Sequence, residues 1–178
     1  MLLYIHGFRT TINSPKAVKL KKHYKDDIFI SNHPYEPKKA VAYLEKIIKQ
    51  KKITGIIASS IGGFYATYLS EKFDLKTVLI NPSVKPYLTT TRYIGLNKNF
   101  DGKEFLWKKK HLLELEKLKV QKLKVQNYYI FLQTGDKVLD YKIAKKRYQG
   151  AKLLIEKGGE HKFIKFKRFY TDVSDFLK

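Results

Sequence analysis

The chain of 178 residues is long enough for one domain with a single core, and its 43% hydrophobic content argues against disorder. It contains no cysteine, which excludes disulfides, thiolate zinc sites and cysteine nucleophiles. The formal net charge is +21, but only four of the 37 basic residues are arginine, the residue suited to bidentate phosphate and base recognition. We therefore interpret the charge as compositional bias and expect no specific nucleic-acid partner.

The first residues, MLLYIHGF, lack the basic segment and the long apolar segment of a signal peptide. No apolar run in the chain approaches the ~20 residues that a membrane helix needs. A cytoplasmic protein without a membrane span is the expectation.

Short apolar runs alternate along the chain with longer amphipathic segments. The predicted strands are residues 2–5, 27–31, 55–59, 77–81, 127–133 and 151–156. Helices are predicted from Ser14-Pro15, over residues 37–49 and 61–73, from about Tyr141, and over residues 163–177. Strands that alternate with helices indicate βαβ units, and therefore a parallel sheet within a single domain over residues 1–178.

The connection between the fourth and fifth strands is too long for an ordinary loop. It includes an amphipathic stretch that predicts a helix over about residues 110–119. We interpret residues 83–124, approximately, as a cap-like insertion over the carboxyl edge of the sheet, where α/β proteins place their sites.

A buried strand, a cluster of small residues and a helix start follow one another at residues 55–64. This order is typical of the sharp turn that carries a serine nucleophile. Bulky side chains two positions before or after the serine would collide across such a turn. Ala58 and Gly62 stand at these positions around Ser60, whereas two isoleucines would flank Ser59. Ser60 is therefore the candidate nucleophile, and a plain helix cap is its alternative role.

A serine nucleophile needs a base, and the base needs an acid that orients it. In this kind of strand–turn–helix fold the acid and then the histidine follow the serine along the chain. Asp136 directly follows the fifth strand, and Asp140 lies four residues later, where it also fits a helix N-cap. His161 follows the sixth strand after two glycines. We predict Asp136 as the acid, with Asp140 as the alternative, and His161 as the base, without a metal or a cofactor.

Acyl transfer also requires hydrogen-bond donors for the developing oxyanion. One candidate donor is the amide of Ile61, the residue after the nucleophile. The loop after the first strand, His6-Gly7-Phe8, supplies the second candidate, the Phe8 amide. Gly7 allows the backbone of this loop to turn close to a substrate. An ordinary strand-to-helix turn with a glycine is the alternative interpretation.

Together these motifs resemble the YqiA-type esterase family, small α/β-hydrolases of bacteria. The likeness extends over nearly the whole chain and rests on the phrases YIHGF, ASSIGG, NPSVKPY, YIGLN, LQTGDKVLDY and GGEHKF. The resemblance implies a minimal α/β-hydrolase, for which we predict a six-stranded parallel sheet in the order 2-1-3-4-5-6 with helices on both faces. The chain departs from the family's usual pattern at the serine turn in one position: Ala58 stands two residues before Ser60, where glycine is common.

The resemblance implies esterase activity on a small acyl ester, with acyl-CoA thioesters as a further class of substrate. It assigns the nucleophile, acid and base to Ser60, Asp136 and His161. Four aromatic residues of the insertion are candidates for an apolar wall against the acyl chain, or for plain packing: Tyr87, Tyr93, Phe105 and Trp107. A non-catalytic basic module on the same scaffold, binding nucleic acid or an anionic surface, is the alternative function.

Overall fold

The computed structural model describes residues 1–178 and contains eight strands and seven α-helices. The strands are β1 (Leu2–Ile5), β2 (Ile28–Ile30), β3 (Gly55–Ser59), β4 (Lys76–Ile80), β5 (Gly95–Lys98), β6 (Glu104–Trp107), β7 (Tyr128–Gln133) and β8 (Lys152–Glu156). The helices are α1 (Pro15–Tyr24), α2 (Pro37–Gln50), α3 (Ile61–Phe73), α4 (Pro86–Thr89), α5 (Lys109–Glu116), α6 (Tyr141–Arg147) and α7 (Tyr170–Leu177). None of these helices combines the length and the apolar character that crossing a membrane requires.

Six strands form one parallel sheet in the order β2-β1-β3-β4-β7-β8. They are the six strands that the sequence predicts, with the predicted neighbours. Their numbers depart from 2-1-3-4-5-6 only because β5 and β6, which pair with each other in an antiparallel hairpin, intervene in the chain. Parallel strands bring their carboxyl ends to one edge, so the loops after β1, β3, β7 and β8 meet there.

Strand β3 shows how helices cover both faces of the sheet. Ile56 and Ala58 belong to a core cluster that includes residues of α2, α3 and α6. Ile57, between them, belongs to a second cluster with residues of α1 and α7. Successive side chains of a strand point to opposite faces, and all three are fully buried. The uninterrupted apolar run in this strand therefore reflects burial on both faces, and the predicted fold class is confirmed.

The segment between β4 and β7 contains α4, the β5–β6 hairpin and α5. Of these elements the sequence predicted only the last, at about residues 110–119 instead of Lys109–Glu116. The hairpin turn is closed by a hydrogen bond from the Asn99 amide to the Lys103 carbonyl (2.9 Å), and Gly102 adopts a φ of 88°. Both hairpin strands are only four residues long and half of their residues are exposed, so neither has the fully buried run of the central sheet strands.

The predicted last helix over residues 163–177 is wrong in its first half. Phe163 has a φ of 50°, which no right-handed helix contains. Phe166–Phe169 forms a 3₁₀ turn, and the α-helix begins only at Tyr170. Phe163 and Phe166 are both buried against Phe131 of the sheet, so packing of aromatic rings outweighs helical periodicity in this stretch.

Candidate active site

Ser60 occupies a strained turn between β3 and α3. Its φ of 53° lies in the region that side chains other than glycine rarely adopt, a strain of about 1–3 kcal/mol. Its amide donates to the Ile80 carbonyl (3.2 Å), and its carbonyl accepts from the amides of Gly63 (3.0 Å) and Ser83 (2.9 Å). Its hydroxyl makes no capping hydrogen bond to α3. The backbone therefore holds the strained turn, and the Ser60 side chain is left available for another contact.

Two glycines allow neighbouring elements to approach this turn. A Cβ at Gly62 would lie 2.6 Å from the His6 carbonyl oxygen, and closer still to that of Ile5. A Cβ at Gly7 would lie 3.0 Å from the Ser60 Cβ and 3.6 Å from its Oγ. Helix α3 therefore begins directly against the end of β1, and the loop after β1 touches Ser60.

The structure brings the three predicted side chains together, although they are far apart in sequence. The Nε2 atom of His161 lies 3.0 Å from the Oγ atom of Ser60. The Nδ1 atom of His161 lies 2.7 Å from Oδ2 of Asp136. When Nδ1 carries the proton and donates to the carboxylate, Nε2 is the bare nitrogen that accepts from the serine hydroxyl. The hydrogen bonds thus run from Ser60 through His161 to Asp136.

Asp136 is held by more than its contact with His161. Its side chain is 2% exposed, and its Oδ1 atom accepts from the amides of Val138 (2.8 Å) and Leu139 (2.9 Å). Burial by itself raises the pKa of this carboxyl, but the hydrogen bonds from His161 and the two amides outweigh it and lower the pKa below its ordinary value. Asp136 is therefore ionised at neutral pH.

Asp140, the alternative acid, has a different role in the fold. It is the N-cap of α6, and its carboxylate accepts from the Lys142 amide at 2.9 Å. The contact with His161 is made by Asp136 and not by Asp140.

The two candidate oxyanion donors belong to residues next to Ser60: Ile61 follows it in the chain, and Phe8 follows Gly7, which contacts it. The Ile61 amide belongs to the first turn of α3, where amides have no carbonyl partner one turn earlier. The Phe8 amide donates to no backbone carbonyl. The loop that carries Phe8 is held by Thr10, whose hydroxyl donates to the Gly7 carbonyl at 2.7 Å.

Asn81, which the sequence analysis did not single out, connects the loop that carries His161 to the end of β7. Its Nδ2 atom donates to the carbonyls of Glu160 (3.2 Å) and His161 (3.1 Å), and its Oδ1 atom accepts from the Gln133 amide (3.0 Å). Its φ is 41°, and it is 2% exposed. The sequence carries one signal for this role. An asparagine at the end of a buried strand can indicate a turn with a positive φ, because asparagine tolerates left-handed backbone better than most residues.

The aromatic residues of the insertion pack chiefly on Phe8, in the loop after β1. The ring of Phe8 lies 5.2 Å from that of Tyr93, 5.6 Å from that of Phe105 and 4.9 Å from that of Trp107, measured between centroids. Trp107 is 1% exposed, so it cannot line an open wall. Tyr87 lies elsewhere, near Phe64 of α3. The packing interpretation of these residues therefore fits the structure better than the apolar wall.

A parallel α/β sheet in this strand order, with a serine at the strained turn after β3, defines an α/β-hydrolase fold. Solved structures with this fold include a protein of Agrobacterium vitis S4 assigned to the hydrolases (TM-score 0.78, 12% identity, 99% of this chain and 87% of that one). Alpha/beta hydrolase domain-containing protein 10 from mouse has a TM-score of 0.75 at 11% identity, over 99% of this chain and 90% of that one. Est1E of Butyrivibrio proteoclasticus, solved with ferulic acid, has a TM-score of 0.67 at 14% identity, over 97% and 85%.

The model of the uncharacterised protein family UPF0227 matches residues 1–178, and the chain belongs to this family. A UPF0227 protein of Shewanella woodyi is 35% identical over 94 residues, which are 48% of this chain and 52% of that protein. The match thus spans about half the length of this curated relative. The family predicted from the sequence motifs is confirmed.

Proposed function

We propose that this protein is a serine hydrolase that cleaves acyl esters through an acyl-enzyme intermediate. The observation that carries the proposal is the continuous hydrogen-bonded arrangement of Ser60, His161 and Asp136, with distances of 3.0 and 2.7 Å. These groups come from three loops at the carboxyl edge of the sheet. The α/β-hydrolase fold is compatible with several chemistries, so the site and not the fold supports this one.

In the first step, His161 Nε2 takes the proton of the Ser60 hydroxyl while Oγ attacks the carbonyl carbon of the ester. The carbonyl oxygen becomes an oxyanion, for which the amides of Phe8 and Ile61 are the proposed donors. The tetrahedral intermediate collapses when His161 gives its proton to the leaving alcohol oxygen. The products of this step are the free alcohol and an acyl group esterified to Ser60.

In the second step, His161 takes a proton from water, and the resulting hydroxide attacks the acyl-enzyme. The second tetrahedral intermediate expels Ser60 Oγ, which recovers the proton from His161, and the carboxylic acid leaves. Asp136 fixes the imidazole tautomer and stabilises its cation in both steps, because the lowered pKa keeps its carboxylate ionised.

The same steps cleave a thioester, in which the leaving sulfur takes the proton from His161 and departs as a thiol. Acyl-CoA thioesters are therefore within the proposed substrate class. The relative kcat/KM values for oxygen esters and thioesters of one acyl group decide which class is preferred.

The test uses hydrolysis of p-nitrophenyl butyrate and covalent labelling by a fluorophosphonate. Ser60→Ala should lower kcat by up to about 10⁶-fold and abolish labelling, because the nucleophile is lost. Ser59→Ala is the matched control. It removes the neighbouring hydroxyl, which contacts the Tyr4 hydroxyl at 3.0 Å, and it should retain labelling. Retention of near wild-type turnover by Ser60→Ala would refute the proposal.

The absence of both hydrolysis and labelling in the wild-type protein would also refute it. In that case a steep salt dependence of nucleic-acid binding would support the non-catalytic basic module instead.

A further inference from the structure

The β5–β6 hairpin of the insertion has two unlike faces, because successive side chains of a strand point to opposite sides. The inner face, which includes Phe105 and Trp107, packs on Phe8 of the loop after β1. The other face, which we call the outer face, consists of residues that are all exposed: Ile94, Leu96, Lys98, Glu104 and Leu106.

Two leucines form the centre of the outer face. Leu96 and Leu106 stand directly opposite each other in the antiparallel register, and they are 70% and 50% exposed. Directly opposite side chains on one face of a hairpin are close enough to touch, so the two leucines form one apolar patch. Ile94 lies on the same face, and Phe100 adds an exposed ring in the hairpin turn.

Exposed apolar side chains are concentrated in the insertion. Scattered single ones are ordinary on a protein surface and need no explanation. Here residues 83–124, less than a quarter of the chain, hold six of the thirteen large hydrophobic residues that are exposed: Leu88, Ile94, Leu96, Phe100, Leu106 and Leu113. The insertion is therefore the part of the surface where apolar side chains most lack a cover.

Basic side chains surround the apolar patch. Residues 92–110 carry six basic and two acidic side chains, all of them exposed, which is an excess of four positive charges. Lys98 lies on the outer face itself, opposite Glu104 in the register, and three consecutive lysines, at positions 108–110, directly follow β6. An apolar patch surrounded by cations matches a lipid bilayer, in which anionic headgroups cover an apolar interior.

A cavity beside the hairpin has a different character. It measures about 710 Å³ and lies between the hairpin and the loops after β1 and β2. Most of its lining residues are polar, and the charged ones are balanced at three lysines and three acidic residues. Glu104 and Leu106 belong to both surfaces, so the cavity adjoins the outer face. The cavity therefore lacks the combination of apolar and basic side chains that marks the outer face.

A second copy of the chain fits the outer face less well than a bilayer does. Two identical basic surfaces repel each other when they meet. A stable protein interface also buries about 800 Å² on each partner, far more than the three aliphatic side chains of the outer face supply. A bilayer needs no such area, since a few apolar side chains can insert between its headgroups.

We propose that the outer face of the β5–β6 hairpin binds the surface of an anionic lipid bilayer, with Leu96 and Leu106 inserted between the headgroups and the surrounding basic side chains paired with lipid phosphates. Only the hairpin then separates the bilayer from Phe8, in the loop that contacts Ser60 through Gly7. The proposal goes beyond the proposed hydrolase function and does not depend on it, because binding requires no turnover.

Flotation with lipid vesicles tests the binding. The vesicles contain equimolar phosphatidylcholine and phosphatidylglycerol, and vesicles of phosphatidylcholine alone are the neutral comparison. The wild-type protein should bind the anionic vesicles at least about tenfold more tightly than the neutral ones. Raising the NaCl concentration from about 50 mM to about 500 mM should weaken the binding, because salt screens the attraction between lysines and headgroups. Equal binding to both kinds of vesicle, or binding to neither, overturns the proposal.

A pair of double variants separates the outer face from the charge of the whole chain. Leu96→Gln with Leu106→Gln should lower the partition coefficient on anionic vesicles at least about tenfold, because two leucine side chains no longer leave water. Val18→Gln with Ile143→Gln is the matched control, at residues of α1 and α6 that are 53% and 47% exposed, and it should bind like the wild type. If both pairs bind equally well, the net charge of +21 explains the binding and the proposal is wrong.

A fluorescent label locates the contact. The chain has no cysteine, so Leu96→Cys and, separately, Val18→Cys each introduce a single thiol for an environment-sensitive nitrobenzoxadiazole dye. On addition of anionic vesicles, the emission of the dye at position 96 should move to shorter wavelength, and that of the dye at position 18 should stay unchanged. Equal shifts at the two positions, or no shift at position 96, contradict insertion of the outer face.

Sedimentation velocity without lipid tests the other occupant of this face. The wild-type protein and the variant with both Leu96→Gln and Leu106→Gln should sediment at the same rate. A wild-type dimer that this variant dissociates would show that a second copy covers the outer face, and it would overturn the proposal. None of these measurements involves turnover, so their outcome is independent of whether the protein hydrolyses esters.

Discussion

Asn81 should determine both the stability of the fold and the position of His161, the proposed catalytic base. It follows β4, is 2% exposed, and makes three hydrogen bonds. Two of them hold the carbonyls of Glu160 and His161, and the third holds the amide of Gln133, the last residue of β7 before the acid loop. The Gln133 side chain also holds this loop, because its Oε1 atom accepts from the Glu160 amide at 2.9 Å, and Asn81 adds the hydrogen bonds that come from the end of β4.

Asn81→Gly isolates the loss of these hydrogen bonds. Glycine adopts the φ of 41° without strain, so the main effect is the loss of three buried hydrogen bonds at ~1 kcal/mol each. The free energy of unfolding should fall by about 3 kcal/mol, which corresponds to about 6–12 °C in Tm for a domain of this size. Asn81→Ala should cost ~1 kcal/mol more, because alanine is strained at a positive φ.

The assay combines urea unfolding with p-nitrophenyl butyrate kinetics at a temperature where every variant is folded. Without Asn81, the backbone of His161 is less restrained, so kcat should fall at least about tenfold while KM changes little. Ser70→Ala is the control. It removes a buried hydrogen bond from Oγ to the Leu75 carbonyl (2.7 Å) at the far end of α3 and should lower stability with kcat unchanged. If Asn81→Gly loses stability yet keeps the kcat of Ser70→Ala, Asn81 does not position the base.

Asp136→Asn should lower kcat by about 10⁴-fold, because the imidazole tautomer is no longer fixed. Asp140→Asn should stay within about twofold in the same ester assay, since asparagine caps a helix as well as aspartate does. Because the pKa of Asp136 is lowered in the folded protein, its ionisation stabilises the fold above the unfolded pKa of ~3.9. The stability difference between wild type and Asp136→Asn, measured by urea unfolding, should therefore be constant above about pH 5 and shrink as the pH falls below about 4; a difference that is constant down to pH 2 contradicts this. Gly62→Ala should cost ~1–3 kcal/mol of stability and greatly reduce fluorophosphonate labelling, because its Cβ would lie 2.6 Å from the His6 carbonyl oxygen; full labelling would contradict the close approach.

The sheet and the strained turn at Ser60 were predictable because their signals are local. Strand β3 is a run of apolar residues buried on both faces, and the space around Ser60 is set by the residues two positions away. The convergence of Asp136 and His161 on Ser60 was predictable for a topological reason: residues that follow parallel strands meet at one edge of the sheet. The choice of Asp136 over Asp140 needed coordinates, since both follow β7 and only the contact with His161 distinguishes them.

The Asn81 contacts and the polar cavity depend on how separate loops are placed against one another, and no local pattern encodes this. The insertion illustrates the difficulty. Its aromatic residues suggested an apolar wall, yet Trp107 is buried against Phe8, and the cavity beside the same hairpin is mostly polar. Net charge is equally uninformative, because it sums over the whole surface, whereas a ligand meets only the side chains that line its site. A chain of charge +21 can therefore still present a cavity that is lined by as many acidic residues as lysines.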